Sequence, residues 1–226
     1  LPLLSDDPPR HTALRSIVNR VFTSSALKEM EIEVAELVEE LLDEVEGQQL
    51  IDISETFTIP LPIRIISRLM GIPEERKDDF KRWSDALTGT AEATDMEKRL
   101  PDIMEMMEYF ISLIPERRVS PGSDLISKIS TATIEGEQLA DQEIAGFCML
   151  LLIAGNETTT NLLSNILNYL ATDESMWEAL KADHNKIDAA IEEILRYDSP
   201  VHFVSRKATK NVKISDKSIN SGEIVT

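Results

Sequence analysis

The chain has 226 residues, 42% of them hydrophobic and 28% charged, which is enough for one domain with a buried core or for two small ones. Its 41 acidic and 23 basic residues give a formal charge of −18, and such a surface repels phosphate backbones, so a nucleic-acid partner is not expected. The single cysteine, Cys148, excludes an intramolecular disulfide, which fits a reducing compartment and a cytoplasmic location.

The first residues indicate a beginning inside a longer chain. Residues 1–4, Leu-Pro-Leu-Leu, contain no methionine and have no signal-peptide pattern. The longest apolar run, 144–155, is too short for a membrane span, so no membrane partner is expected.

The first two predicted elements are helices. Asp7 is predicted to cap the first, which has a Pro-Pro pair in its opening turn and runs to about Phe22. Ser24 or Ser25 is predicted to cap the second, an acidic amphipathic helix that stops at Gly47. Its many carboxylates are interpreted as a solvated face.

Helical periodicity continues through most of the remaining chain. A short strand is predicted at 50–53. Helices are predicted at 61–70, from Pro73 onward and at 95–114, and a short helix follows the loop 119–124. Three more helices are predicted at 141–170, 173–181 and 185–197. After Pro200 the period changes to that of strands, with apolar positions at Val201, Phe203, Val212, Ile214, Ile219 and Ile224 and turns at 215–216 and 221–222. We therefore predict a mainly α fold, a helical domain with a small β-sheet, as one domain over 1–226.

The longest predicted helix carries a polar block inside an apolar sequence. Twelve residues without a charged or amide side chain, 144–155, are followed by Asn-Glu-Thr-Thr-Thr-Asn at 156–161. A buried polar group without a partner costs about 1–3 kcal/mol, and a threonine hydroxyl can bond back to the carbonyl one turn earlier. Two interpretations stay open: a hydrated stretch of helix, or a cleft in which an acid beside an alcohol relays protons.

The first helix places two cationic residues near its apolar arc. At 100° per residue, His11, Arg15 and Val18 fall within roughly 60° of one another, so we predict that His11 and Arg15 lie on the core side. Arginine stays charged, so a buried Arg15 needs an anion. That anion is either an internal carboxylate or a carboxylate or phosphate of a ligand.

Near the end of the last helix, Glu192 and Glu193 both stand within reach of Arg196. Such a pair is by itself an ordinary surface interaction that contributes a few tenths of a kcal/mol.

Four segments, in this order, resemble motifs of the cytochrome P-450 family. Residues 7–15 are similar to its helix C, 154–159 (Ala-Gly-Asn-Glu-Thr-Thr) to its central helix I, 193–196 to the Glu-x-x-Arg motif of helix K, and 201–206 to the segment after helix K. Four motifs in the family's order are a strong signal, although Glu-x-x-Arg alone is common by chance. The resemblance covers essentially the whole chain and is closest to compact soluble prokaryotic and archaeal members.

The resemblance implies the cytochrome P-450 fold, in part, and haem b (iron protoporphyrin IX) as the cofactor. It implies that His11, Arg15 and Arg206 neutralise the haem propionates. Ala154 and Gly155 would let the porphyrin approach the helix.

The resemblance also implies a monooxygenase that inserts one atom of O₂ into a small apolar substrate, with electrons from a ferredoxin or a reductase. Thr158, against the haem, would hydrogen-bond the oxygen, and Glu157 would help deliver protons. Val201 and Phe203 would form part of the wall of the substrate site. Glu193 and Arg196 would be structural.

The family's axial cysteine lies in a Gly-rich loop well after helix K, so we expect it beyond Thr226, and we expect further segments before helix C. Cys148 is interpreted as an inert core thiol. Two alternatives stay open: a peroxygenase of the same fold, and a haem-free acidic helical interaction domain.

Overall fold

The computed structural model of the protein describes residues 1–88 and 96–226 and divides into two compact units, Leu1–Ser164 and Asn165–Thr226. Helices dominate these residues, and the strands described form antiparallel pairs of two strands each. The predicted mainly α fold with a small amount of β-structure is confirmed, with the β-structure divided among these pairs.

The first unit is helical apart from one hairpin. Its helices are α1 (Arg10–Val21), α2 (Ser24–Asp43), α3 (Pro60–Leu69), α4 (Lys77–Thr88), α5 (Met96–Val119), α6 (Leu125–Ser130) and most of α7 (Asp141–Thr172). A π-helix (Ser54–Thr58) precedes α3, a 3₁₀ turn (Glu74–Arg76) precedes α4, and strands β1 (Thr133–Ile134) and β2 (Glu137–Gln138) precede α7. The predicted start of the fifth helix, Asp95, lies outside the described residues.

Helix α1 begins later than predicted. Its N-cap is Pro9, which has no side-chain oxygen, so the predicted Asp7 cap is wrong. The Asp7 carbonyl instead accepts the backbone N–H of His11 at 3.0 Å. A residue that precedes proline is disfavoured in the α conformation, so the Pro-Pro pair delays the helix until Arg10.

Helix α2 is capped by Thr23, one residue before the predicted serines. The Thr23 side-chain oxygen accepts the N–H of Ala26 at 3.3 Å and satisfies one of the free donors of the first turn. The helix ends at Asp43, and Gly47 follows after a further turn with φ of +77°.

The strand predicted at 50–53 is wrong, because these residues pair with no strand and lead into the π-helix, whose N-cap is Ile53. The Asp52 carboxylate accepts the backbone N–H groups of Ser54 (2.9 Å) and Glu55 (3.2 Å). A side-chain acceptor that satisfies first-turn donors starts a helix, and it outweighed the short apolar run before it.

Helices α4 and α5 pack through aromatic rings. The ring of Phe80 lies 5.6 Å from that of Trp83 and 5.9 Å from that of Phe110, and Trp83 lies 5.2 Å from Tyr109. Phe80, Trp83 and Phe110 are fully buried. The predicted apolar face of α4 is thereby confirmed, since aromatic rings dominate the area that a core buries.

The first half of α7 enters the same core as α1. Leu14 and Ile17 of α1 belong to one buried cluster with Ile144, Phe147 and Leu152 of α7. The predicted helix at 141–170 is confirmed, with its end at Thr172.

Two neighbouring features differ from the prediction. Helix α5 runs through Pro115 to Val119, beyond its predicted end at 114, and the β1–β2 hairpin was not predicted.

The second unit contains the end of α7, then α8 (Glu174–Ala182), α9 (Ile187–Tyr197) and four short strands. The strands are β3 (Arg206–Lys207), β4 (Val212–Ile214), β5 (Lys217–Ile219) and β6 (Ile224–Val225), with β3 paired to β6 and β4 to β5. The predicted turns at 215–216 and 221–222 are confirmed. Val201 and Phe203 are not in strands, because the residues from 201 to 205 pair with no neighbouring strand.

Candidate functional site

The polar block of α7 divides by depth. Asn156 is buried, Thr158 and Thr160 are half-buried, and Glu157 and Asn161 are exposed. All five lie in unbroken α-helix within the first unit. The block is thus neither wholly in the core nor wholly in solvent.

Thr158 makes the back-bond that its position predicts. Its hydroxyl donates to the carbonyl of Ala154, one turn earlier, at 2.8 Å. Ala154 itself is exposed, although the preceding part of the helix is buried. Ala154 and Thr158 therefore mark one open face of α7, where a small side chain leaves room for a ligand.

Glu157 lies on another side of the helix, at a polar cavity of about 380 Å³. The walls contain Ser54, Glu55, Ile59, Lys81, Asp85, Asn156, Glu157, Thr160, Asn161 and Ser164. Lys81 of α4 pairs with Asp85 at 3.1 Å within this wall. A cavity of this size and polarity can hold several waters beside the Glu157 carboxylate.

Asn156 is the deepest member of the block, with 6% of its surface exposed. Its amide N–H donates to the Ser84 hydroxyl of α4, and its amide oxygen accepts the Thr160 hydroxyl at 3.2 Å. Ser84 is fully buried. Sequence reasoning missed the contribution of α4; the available signal was a small polar residue, Ser84, one turn after Phe80 on an otherwise apolar face.

Gly155 serves helix packing. A Cβ at this position would lie 3.2 Å from the Cδ1 of Ile66, so the absent side chain lets α3 approach α7 closely. The predicted contact of Gly155 with haem stays a prediction.

The structure corrects the placement of Arg15. The buried face of α1 is formed by Leu14, Ile17, Val18 and Val21, whereas His11 is half-buried and Arg15 is exposed. At 100° per residue, the centre of that face lies about 110° from Arg15, so Arg15 is at the flank of the apolar arc and not inside it.

Arg15 also differs from other arginines of this acidic protein. Within the described residues it has no ion pair or hydrogen bond, so the internal carboxylate that was the alternative partner is not seen. Eight other arginines contact a carboxylate, namely Arg10, Arg64, Arg68, Arg76, Arg82, Arg117, Arg118 and Arg196. The Arg15 guanidinium is therefore available to an anion from outside these residues.

Cys148 is fully buried in the core, and burial raises the pKa of its thiol to about 12. A thiol with that pKa is almost entirely protonated near neutral pH and is a poor metal ligand. No group of three or more His, Cys, Asp or Glu side chains in the described ranges could hold a metal ion.

In the second unit, Glu193 and Arg196 form a two-pronged ion pair, with both N–H···O distances at 2.7 Å. The hydrogen bonds between the two side chains lower the pKa of the Glu193 carboxyl and raise the pKa of Arg196. The pair is exposed. Glu192, the other predicted partner, is not part of this ion pair.

The remaining predicted site residues also lie in the second unit and are exposed. Arg206 begins β3, and its side chain donates to the carbonyl of Ser205 at 2.9 Å. Val201 and Phe203 are 46% and 72% exposed. These three side chains have little packing around them within the residues that the structure covers.

Comparison with known proteins agrees with the motifs. The family model for cytochrome P-450 matches residues 116–226. Cytochrome P-450 109 of Bacillus spizizenii is 36% identical over 231 residues, which cover 99% of this chain and 57% of that protein. The crystal structure of CYP109E1 from Bacillus megaterium with testosterone matches with a TM-score of 0.88 and 42% identity over 98% of this chain and 61% of that one. The structure of PksS from Bacillus subtilis matches with a TM-score of 0.91 and 37% identity, over 98% and 57% of the two chains.

The chain belongs to the cytochrome P-450 family. It spans 55–58% of the length of the first curated relatives that it matches. These matches disfavour the haem-free interaction domain. No helix in the described ranges has the length and apolar character that a membrane crossing requires.

Members of this family bind haem, and the residues of this chain fit that group. Haem carries two carboxylates, which suit guanidinium and imidazole donors such as Arg15 and His11. Its flat apolar ring suits the open face of α7 at Ala154 and Thr158. Cys148 could not supply a thiolate ligand to haem, because its side chain is fully buried in the core.

Proposed function

We propose that the whole protein is a haem-dependent monooxygenase that inserts one atom of O₂ into a small apolar molecule and takes electrons from a ferredoxin or a reductase. The observation that carries this proposal is the arrangement of α7, in which Thr158 lies on an open face and Glu157 lies beside a polar cavity. When bound, haem supplies the oxidation chemistry. The residues of this chain bind it, orient the reactants and move protons.

His11, Arg15 and Arg206 are proposed to hold the haem carboxylates by charge-assisted hydrogen bonds, which are stronger than neutral ones. Arg15 and Arg206 suit this role because neither has a carboxylate partner within the described part of the chain, despite the excess of acidic residues. Ala154 and Gly155 are proposed to give the porphyrin its close approach to α7.

Glu157 and Thr158 are proposed to control the proton supply. Glu157 can exchange protons with water in its cavity, since carboxylates within reach of solvent are effective proton carriers. The Thr158 hydroxyl can turn from the Ala154 carbonyl toward the oxygen site, because a hydroxyl both donates and accepts.

The proposed substrate is apolar, and Val201 and Phe203 are proposed to contact it. Their exposure leaves them free to pack against a ligand. The relative CYP109E1 was crystallised with testosterone and with corticosterone, both largely apolar molecules. Glu193 and Arg196 are proposed to be structural, and the two units to be parts of one domain.

Thr158→Ala tests the proposal in the haem-loaded whole protein. Alanine removes the hydroxyl and improves helix propensity, so haem content and folding should persist. Oxygen consumption should continue, while the ratio of oxidised substrate to reducing equivalents consumed should fall at least about tenfold, because a positioned proton-transfer group typically contributes about 10²–10⁴-fold to the step it assists. Glu157→Gln should lower the rate and increase the solvent deuterium isotope effect.

The matched control is Thr172→Ala, which removes a hydroxyl with the same type of back-bond, here to the Asn168 carbonyl at 2.7 Å, from the exposed end of the same helix. The ratio of oxidised substrate to reducing equivalents consumed should be the same in this variant as in the unaltered protein. Unchanged ratios in both Thr158→Ala and Glu157→Gln would show that residues 156–161 are only a hydrated stretch of helix.

A further inference from the structure

Asn156 and Ser84 form a buried polar contact between α7 and α4, at positions 72 residues apart in the sequence. The amide oxygen of Asn156 is also occupied, by the Thr160 hydroxyl one turn later, so both ends of the amide have partners. This fixes which end faces α4, since the hydrogen-bond network sets the orientation of an amide.

Such a contact stabilises the fold only weakly. A hydrogen bond between two polar groups inside a core makes a small net contribution to the free energy of unfolding, and apolar groups of similar shape can replace both groups with little loss of stability. A buried polar pair does favour one register between two elements, because any slip breaks the hydrogen bond between them in a place that water does not reach.

The contact lies at the edge of the cavity beside Glu157. Lys81 and Asp85 flank Ser84 on α4, and Glu157 and Thr160 are the neighbours of Asn156 on α7; all four line this cavity. The register between α4 and α7 therefore decides which polar groups of α4 face Glu157.

We propose that Asn156 and Ser84 are positioning residues, which hold α4 against α7 so that the wall opposite Glu157 stays polar and hydrated. The inference rests on the proposed function, because it assigns the pair to the proton supply of that reaction. Neither residue needs to touch the substrate or the haem.

The test uses Asn156→Leu, Ser84→Ala and the double variant. Hydrogen exchange measured by mass spectrometry should show amides at 81–87 exchanging about tenfold faster in each of the three, because each loses the same contact. The product-to-electron ratio of the haem-loaded protein should fall to a similar extent in all three. The denaturant midpoint of the double variant should lie close to that of the unaltered protein.

Ser130→Ala is the matched control. It removes another fully buried serine hydroxyl of the same unit, one that has no hydrogen-bond partner, from α6. Exchange at 81–87 and the product-to-electron ratio should both stay unchanged.

Two outcomes overturn the inference. If the double variant regains normal exchange and a normal ratio, the pair is only a packing feature that apolar side chains can replace. If the ratio falls in Thr158→Ala but not in the Asn156 and Ser84 variants, this inference fails while the proposed function stands; an unchanged ratio in Thr158→Ala and in Glu157→Gln refutes both.

Discussion

Arg15 has the clearest single-residue consequence for function. It is an exposed cation without a partner within the described residues of a protein that carries 41 acidic side chains. Surface ion pairs contribute little to stability, so leaving one cation unpaired costs the fold almost nothing. The same cation contributes more to binding once a ligand carboxylate and the surrounding apolar groups exclude water from it.

Replacing Arg15 with alanine should therefore weaken haem retention more than it weakens the fold. A charge-assisted hydrogen bond contributes about 1.5–3 kcal/mol, so haem transfer to apomyoglobin should be at least about tenfold faster. The denaturant midpoint of the haem-free form should stay within error of the unaltered protein.

Arg20→Ala is the control for Arg15→Ala, because Arg20 is exposed on the same helix and, among the residues that the structure describes, bonds only to the Ser16 hydroxyl, at 3.2 Å. Its haem transfer rate should be normal. Equal rates in the two variants would contradict the role given to Arg15.

At the scale of the elements, helix ends and helix interiors obey different rules. Interiors followed the apolar period, so α3, α4, α7, α8 and α9 lie close to where the pattern predicted them. The ends depended on single hydrogen bonds. Thr23 caps α2, and the Asp52 carboxylate accepts the first N–H groups of the π-helix that follows the short apolar run.

Thr23→Ala should destabilise the protein by about 1 kcal/mol, the usual cost of removing an N-cap oxygen. Stability falls because the substitution removes the side-chain oxygen that accepts the Ala26 N–H. Urea unfolding followed by circular dichroism measures it. Ser24→Ala, one position later, should change stability by less than about 0.5 kcal/mol, and the reverse order would show that Ser24 is the cap.

At the scale of the whole molecule, the two units differ in how much apolar surface they bury. The buried hydrophobic residues of the described chain lie almost entirely in Leu1–Ser164, and Ile194 is the exception in the second unit. Strand pairs of two or three residues with exposed side chains are marginal by themselves. Local stability should therefore be concentrated in the first unit.

Hydrogen exchange of the chain should show this difference. Amides at 144–152, in the buried half of α7, should exchange about three orders of magnitude more slowly than those at 212–219 in the β4–β5 pair. Mass spectrometry of peptides from a time course resolves both segments. Comparable protection of the two would mean that the strands are stabilised by contacts beyond their own pairing.

The amino-acid sequence alone determined the helical architecture and the family, and it indicated the candidate site residues apart from Ser84. These properties depend on periodicity and on short motifs, whose physical basis is interaction between residues within one or two turns. The back-bond of Thr158 and the ion pair of Glu193 with Arg196 were predictable for that reason.

Only the tertiary structure decided the surroundings of those residues. It placed Arg15 on the flank of α1, filled the space at Gly155 with Ile66, joined Asn156 to Ser84, and opened a polar cavity beside Glu157. Each of these facts depends on which distant segment packs against a given face. Burial is a property of the assembled core, so a local pattern predicts which face is apolar but not what will cover its edges.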